Sequence, residues 1–420
     1  MRATPSLILL ACLASLPAVA QLASVRPAGE TQVVVRGGAG DQDVALWPNS
    51  ANPAQSLLVV ADSTVGLTTY RLDTTEELEV LQGEVAFGVD VKEGFALPGG
   101  SVPLVVVANG TRQALTAYVV DAVTLRLRRV DTDTLRVTNF DPRVVALYRN
   151  PANGQVYAFA ADSGGTVQQF ELRTNTSGGV EGTAVRTFEV GGAVSGMVVD
   201  ESQGVLFVAQ QNQGIWRYSA AANGGTARTA VASAGQGALA APLGGLALYS
   251  INASGGYLLA ASTSGNSVVV YGRQPPHDQL GSFRLIANAT GNVDDDVTEP
   301  RSIEASSRVL GTTYPTGIAI VHDRLNSPAQ NHKLVSWSNV AAAFTPPLAE
   351  NRLDGGSDGG VLDGGTDGGT GRDGGTTTGP GGGTIDPDPQ SGCSCATASV
   401  SGTVLFVLLG LALRGRRRQR

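Results

Sequence analysis

Cysteine is scarce in this 420-residue chain, and the few cysteines lie near its ends. The three are Cys12, Cys393 and Cys395, so the long central part of the sequence has none. That central part can therefore form neither a disulfide nor a thiolate metal site. Histidine is also rare, with three residues whose spacing does not match a metal-binding motif.

Lysine and aromatic residues are scarce as well. Lysine occurs only at Lys92 and Lys333, aromatic residues make up 5% of the chain, and the net charge is −7. A nucleic-acid partner requires a basic surface on the protein, so the acidic composition argues against one. No stretch before the C-terminal region sustains a helical hydrophobic pattern, whereas the 55 glycines predict many turns.

One pattern recurs along the central part of the chain. An apolar strand ends in small residues, a turn with glycine follows, and a second, alternating strand ends in an aromatic residue about every 50 positions. The apolar strands are Leu57–Ala61, Leu104–Ala108, Val156–Ala160, Leu206–Ala209, Tyr257–Ala260 and Ile318–Val321, and the closing aromatic residues are Tyr70, Tyr118, Phe170, Tyr218, Tyr271 and Trp337. Six such units predict an all-β fold, a six-bladed β-propeller. A β-sandwich is the alternative, but it would not repeat so regularly.

The N-terminus has the features of a secretory signal peptide over residues 1–20. Arg2 provides the positive start, an apolar stretch follows, and small residues ending at Ala20 provide the cleavage position. A buried N-terminal helix is one alternative. A second alternative is lipidation of Cys12, which follows Leu-Leu-Ala, although the apolar run before it is short. The predicted propeller then occupies residues 21–350.

The C-terminal part divides into a linker and a tail. Residues 351–391 are rich in Gly, Asp and Thr and cannot bury enough apolar surface to fold, so they predict a disordered linker. Residues 392–420 contain Cys393 and Cys395, a hydrophobic segment that is short for a membrane span, and an arginine cluster. This order resembles the C-terminal sorting signal of myxobacterial surface proteins, and an ordinary tail anchor is the alternative. Either would attach an exported protein to a membrane or cell surface, from which it could be released.

Several segments of the central region resemble the β-propeller phytases. The run from Gly40 to Pro48 contains Asp41 and Asp43 and is similar to that family's first signature, and Phe87–Lys92 is similar to its second. Further similar stretches are Gly214–Tyr218, Tyr314–Ile318 and Gln330–Trp337. The resemblance follows the chain in order over nearly all of residues 30–345.

The resemblance implies calcium-dependent hydrolysis of phosphomonoesters in inositol hexakisphosphate. In that family carboxylates bind calcium at one face of the propeller, and cationic side chains hold the phosphates. Hard calcium ions require several oxygen ligands, and clustered phosphates require cations around them. By resemblance, the metal candidates are Asp41, Asp43 and Asp90. The phosphate-binding candidates are Lys92, in place of an arginine, Arg112, near the family position, and Arg143, in place of a tyrosine.

The sequence departs from the family pattern at several of its carboxylates. Gln42, Ser195 and Gly244 stand where the family has acidic residues. A second acidic segment is aligned with the family's Asp-rich loop, and the calcium candidates in it are Asp294, Asp295, Asp296 and Glu299. The alternative interpretation of that segment is a solvated acidic loop, because charge runs usually face water.

These observations predict a phytase-like enzyme, monomeric, with an eroded site and weak activity. Its partner would be an inositol phosphate or another anionic small molecule, and its cofactor would be calcium. The alternative is a non-catalytic propeller on the cell surface that binds a ligand or a protein.

The leader assignment gives the first testable prediction. The mature protein should begin at Gln21, because the small residues before it match the cleavage position of a signal peptide. Mass spectrometry of the N-terminal peptide from the exported protein would measure this. A lipidated Cys12 at the N-terminus would contradict it.

Overall fold

The computed structural model describes residues 21–33, 40–136 and 141–351, apart from the side chain of Asp133. The predicted cleavage residue Ala20 and the predicted anchoring residues Cys393 and Cys395 lie outside these ranges. Within them no helix is long and apolar enough to cross a membrane. The described part is almost entirely β-structure, with one short α-helix, α1 (Trp337–Ala342).

Twenty-five strands form six separate sheets. The first twelve strands are β1 (Leu22–Val25), β2 (Gly29–Glu30), β3 (Gln42–Trp47), β4 (Leu57–Asp62), β5 (Gly66–Arg71), β6 (Glu77–Gln82), β7 (Ala86–Leu97), β8 (Gly100–Asn109), β9 (Ala114–Asp121), β10 (Arg126–Arg129), β11 (Val144–Arg149) and β12 (Val156–Ala161). The others are β13 (Thr166–Thr174), β14 (Val180–Glu189), β15 (Val194–Asp200), β16 (Val205–Gln210), β17 (Gly214–Ser219), β18 (Arg228–Ser233), β19 (Leu243–Ser250), β20 (Gly256–Ser262), β21 (Ser267–Gly272), β22 (Gln279–Leu285), β23 (Ile303–Ser306), β24 (Ile318–Asp323) and β25 (Asn331–Ser336).

The sheets are the six blades of a β-propeller. Blades one to four are the antiparallel meanders β3–β6, β7–β10, β11–β14 and β15–β18, and blade five begins with β19–β22. The innermost strands β3, β7, β11, β15, β19 and β23 each pack against the next, and β23 packs against β3, so the ring is closed. The fold class and blade number predicted from the sequence repeat are thereby confirmed.

The N-terminal segment completes the last two blades. Strand β1 joins the outer edge of blade five, parallel to β22, and β2 is the outermost strand of blade six, antiparallel to β25. The two ends of the folded region are therefore held in the same part of the ring. Gln21 strengthens this connection, because its side chain donates to the carbonyl of Ala343 and accepts from the amide of Thr345.

The predicted apolar strands are the second strands of the blades and are fully buried between neighbouring sheets. Their aliphatic side chains alternate between the two faces, and each face packs against a different adjacent blade. The sixth unit differs in one detail from the predicted pattern. The alternating strand of this unit, β25, ends at Ser336, and Trp337 starts α1. The ring of Trp337 stacks on that of Tyr249 in blade five, at 3.8 Å between ring centroids.

Lys333 forms a buried ionic connection between β2, β25 and the loop that precedes β23. Its side chain is 0% exposed, and its ammonium group donates to Glu30, to Asp295 at 2.6 Å and to Asn326 at 2.8 Å. The carboxylate of Asp323 lies 3.5 Å away. A buried ammonium group is tolerated because these acceptors surround it.

We expect Lys333→Ala to lower the free energy of unfolding by about 3–5 kcal/mol, because it leaves the buried carboxylate of Asp323 without its counter-ion. Urea denaturation followed by circular dichroism would measure the change. Arg71→Ala is the matched control, since it breaks the solvent-exposed Arg71–Asp73 pair and should cost less than about 1 kcal/mol. Equal losses in the two variants would contradict the structural role of Lys333.

Candidate functional site at the mouth of the central channel

A cavity of about 330 Å³ lies where the six innermost strands begin, and we call this end of the propeller axis the channel mouth. Every blade contributes to its wall, because each innermost strand starts at this end. The lining residues include one at the start of each strand or just before it, and in blades one to six these are Asp41, Phe87, Arg143, Ser195, Gly244 and Arg301. The channel mouth thus combines two guanidinium groups, one exposed carboxylate, an aromatic ring and two small residues.

Three further carboxyl groups lie in the wall below the channel mouth, on Asp43, Asp90 and Glu304. Asp43 and Asp90 accept hydrogen bonds from the next blade: Val89 N donates to Asp43 at 3.1 Å, and Leu147 N donates to Asp90 at 2.6 Å. These amides belong to innermost strands that have no sheet partner on the channel side. The two aspartates therefore connect blade one to blade two and blade two to blade three.

Burial raises the pKa of all three carboxyl groups. The pKa of Asp43 rises to about 7 because burial outweighs the hydrogen bond from Val89. The pKa of Glu304 rises to about 8, mainly through burial and further through the charge of Asp90. Burial also raises the pKa of Asp90, although the nearby ammonium group of Lys92 opposes the shift. Near neutral pH the channel is consequently less negative than its formal charges suggest.

Lys92 lies two residues beyond Asp90 on β7 and hence on the same face of that strand. It pairs with Glu201 at 3.0 Å rather than lining the cavity. Burial would lower the pKa of Lys92, but the carboxylates of Asp90 and Glu201 together outweigh burial, so the pKa is raised overall. Lys92 is therefore a charged internal partner of the channel carboxylates.

The structure brings some of the candidate residues together and separates others. Asp41, Asp43, Asp90 and Arg143 all line the cavity. Arg112 does not, since its guanidinium group is paired with Glu84 at 2.5 Å.

The predicted acidic loop also lies away from the cavity lining. Asp295 binds Lys333, Asp296 accepts from the amide of Ala287 at 2.8 Å, Glu299 binds Arg324 at 2.6 Å, and Asp294 is exposed. The loop thus contributes to the outer part of blade six.

The donor set of the described residues does not fit a preassembled calcium site. Calcium requires several oxygen ligands around one point. In residues 21–33, 40–136 and 141–351, no three acidic, histidine or cysteine side chains are placed to hold one metal ion. Both oxygens of Asp90 already accept backbone amides, from Val91 and Leu147.

Sequence reasoning did not identify Arg301 or Phe87 as site residues. Arg301 comes two residues before β23, and Arg143 comes one residue before β11. The residue at the start of each innermost strand would have indicated the positions of Arg301 and Phe87. The sequence repeat, however, marks other strands of each blade.

The raised pKa values of Asp43 and Glu304 predict that the protein becomes less stable as the pH rises from about 4 to about 8. A carboxyl group whose pKa is raised by folding contributes stability that is complete below its unfolded pKa of about 4. This contribution is lost as the pH rises through the folded values of about 7 and 8. The Tm should therefore fall between about pH 4 and pH 8 and level off above that, and Asp43→Asn with Glu304→Gln should remove at least half of that fall.

Thermal melts in metal-free buffer would measure this dependence. Glu76→Gln, which neutralises an exposed carboxylate, is the matched control and should leave the profile unchanged. An unchanged profile in the Asp43–Glu304 double variant would show that neither group holds its proton at neutral pH.

Comparison with known proteins places these residues in context. The family model described as Phytase matches residues 3–354. The 3-phytase of Bacillus subtilis (strain 168) is 27% identical over 321 residues, which cover 74% of this chain and 83% of that protein. A solved structure of a luciferin-regenerating enzyme covers 73% of this chain and 96% of its own, with 10% identity and a TM-score of 0.47.

Proposed function

The chain belongs to the β-propeller phytase family, and from that premise we propose that its channel mouth binds inositol phosphates and hydrolyses their phosphomonoesters slowly. The observation that carries the proposal is the pair of arginines, Arg143 and Arg301, in the wall of one cavity that also contains carboxyl groups. Guanidinium groups bind phosphate oxygens in a bidentate manner, which suits a substrate rich in phosphate.

The residues at the channel mouth support binding more directly than turnover. Arg143 and Arg301 can orient phosphate groups. The hydroxyl of Ser195, in the wall between them, already donates to the carbonyl of Gly244 at 3.2 Å. Asp43 and Asp90 are the carboxylates that could assist the attack of water on phosphorus. Their oxygens also hold the blades together, however, so their freedom to move toward a substrate is restricted. This restriction supports slow hydrolysis.

The family resemblance implies calcium, and Asp41, Asp43 and Asp90 are the channel residues that could supply oxygen ligands. Because the described residues do not converge on one ion position, we assign no step of the reaction to calcium. A second candidate function follows from the same observation: a propeller that binds an inositol phosphate without turning it over. Separation of the acidic loop from the channel mouth favours this alternative.

Export and surface attachment are also part of the proposal, together with a monomeric state. The apolar leader over residues 1–20 and the tail over residues 392–420 support export and anchoring. The acidic composition argues against nucleic acid as a partner. A small anionic ligand would have to be bound by local arginines.

Phosphate release from inositol hexakisphosphate by the full chain tests the enzymatic function. We expect slow release, reduced at least tenfold in Asp43→Asn, because an amide can still accept from Val89 N but has lost the charge of the carboxylate. Glu76→Gln serves as the control and should retain full activity. Binding of inositol hexakisphosphate without any release would support the non-catalytic alternative, and absence of both would refute the proposal.

A further inference from the structure

Arg301 is a cationic group at the channel mouth, and its ion-pair partner among the described residues is Asp41. Its guanidinium group lies 3.8 Å from Asp41, beyond hydrogen-bond distance, and its side chain makes no hydrogen bond to a group in the described ranges. The Nε atom is buried and unsatisfied. The side chain as a whole is 33% exposed, so its other nitrogens can reach solvent or a ligand, and the cost of a missing acceptor applies only to the buried Nε.

Arg143 is held in a fixed orientation at the same cavity. Its guanidinium group lies 3.6 Å above the ring of Phe87, and one terminal nitrogen donates to Asp141 at 2.6 Å. Its Nε also has no partner among the described residues. A preoriented guanidinium group loses little conformational entropy when it binds an anion.

The two arginines lie on opposite sides of the ring. Arg143 precedes the innermost strand of blade three, and Arg301 precedes that of blade six. In a closed ring of six blades these blades are diametrically opposed. A ligand that contacts both arginines must therefore span the channel mouth and carry anionic groups at two ends.

The wall between the arginines on one side is formed by small residues. Ser195 in blade four and Gly244 in blade five line the cavity there, whereas Asp41 and Phe87 occupy the other side. Small residues leave room for the body of a compact ring-shaped ligand. The cavity of about 330 Å³ is within the range of small-molecule sites.

Three carboxyl groups deeper in the wall already accept hydrogen bonds from backbone amides. Oxygens of Asp43, Asp90 and Glu304 accept backbone amides. The acidic loop before β23 binds Lys333 and Arg324 instead of facing the channel mouth. The carboxylates nearest to the two arginines are Asp141, at 2.6 Å from Arg143, and Asp41, at 3.8 Å from Arg301, and an anionic ligand would compete with these two for the guanidinium groups.

We propose that Arg143 and Arg301 bridge two phosphate groups of one polyphosphorylated small molecule across the channel mouth, and that this binding requires no divalent cation. The inference rests on the proposed function, because it specifies how the same site recognises its ligand. It adds Arg301 as a specificity-determining residue and selects ligands with two separated phosphates over single phosphate ions.

Isothermal titration of the full chain in metal-free buffer tests the proposal, with inositol hexakisphosphate and inorganic phosphate as probes. The hexakisphosphate should bind, and Arg143→Gln and Arg301→Gln should each weaken its binding about tenfold or more, since each removes a charge-assisted contact. Inorganic phosphate, which reaches only one arginine at a time, should bind about 100-fold more weakly or worse. Arg128→Gln, which neutralises an exposed arginine on β10, is the matched control and should bind normally.

Each other outcome overturns the inference. Binding of the hexakisphosphate only after calcium is added would refute cation-independent recognition while leaving the proposed function intact. Binding of neither probe, with or without calcium, would refute both. Unchanged affinity in either glutamine variant, or equal affinity for the two probes, would refute bridging. Should Arg301→Gln fail to fold by circular dichroism, Arg301→Lys provides the test, because it keeps the charge but loses the bidentate geometry and should bind more weakly.

Discussion

Closure of the ring of six innermost strands is the constraint on which the rest of the structure depends. These strands have sheet partners on one side only, so their other edge presents backbone amides that need acceptors inside the protein. Asp43 and Asp90 provide acceptors for Val89 and Leu147 of the following blades. Close approach of the blades requires glycine as well, since a Cβ atom on Gly196 would lie 2.6 Å from the Cα atom of Gly245.

Closure also determines the electrostatics of the channel. Carboxyl groups that serve as acceptors between blades lie among packed strands, where burial raises the pKa of Asp43 and Glu304 well above the usual range. A bound cation would favour the ionised form of these carboxyl groups. Hydrogen bonds from backbone amides, in contrast, hold their oxygens in fixed positions. Both oxygens of Asp90 are engaged in this way, one by Leu147 N of the next blade and the other by Val91 N of its own strand.

The sequence predicted the parts of the fold that repeat, but not the parts that depend on closure. Aromatic residues such as Tyr70 and Tyr118 recur because each blade packs on its neighbour in the same way, so six blades followed from their spacing. The roles of β1 and β2 did not follow, because short strands contributed from the other end of the chain leave no repeat. The residues gathered at the channel mouth were predicted only where a motif marked them. Arg301 was missed because its position opposite Arg143 exists only in the closed ring.

Packing between blades five and six restricts one side of the channel mouth. The close approach of the two blades at Gly244 leaves no room there for a larger residue. A Cβ atom at position 244 would lie 2.5 Å from the carbonyl oxygen of Arg301, and Gly245 N donates to that same oxygen at 2.8 Å. A larger side chain at Gly244 would therefore displace the backbone that carries Arg301.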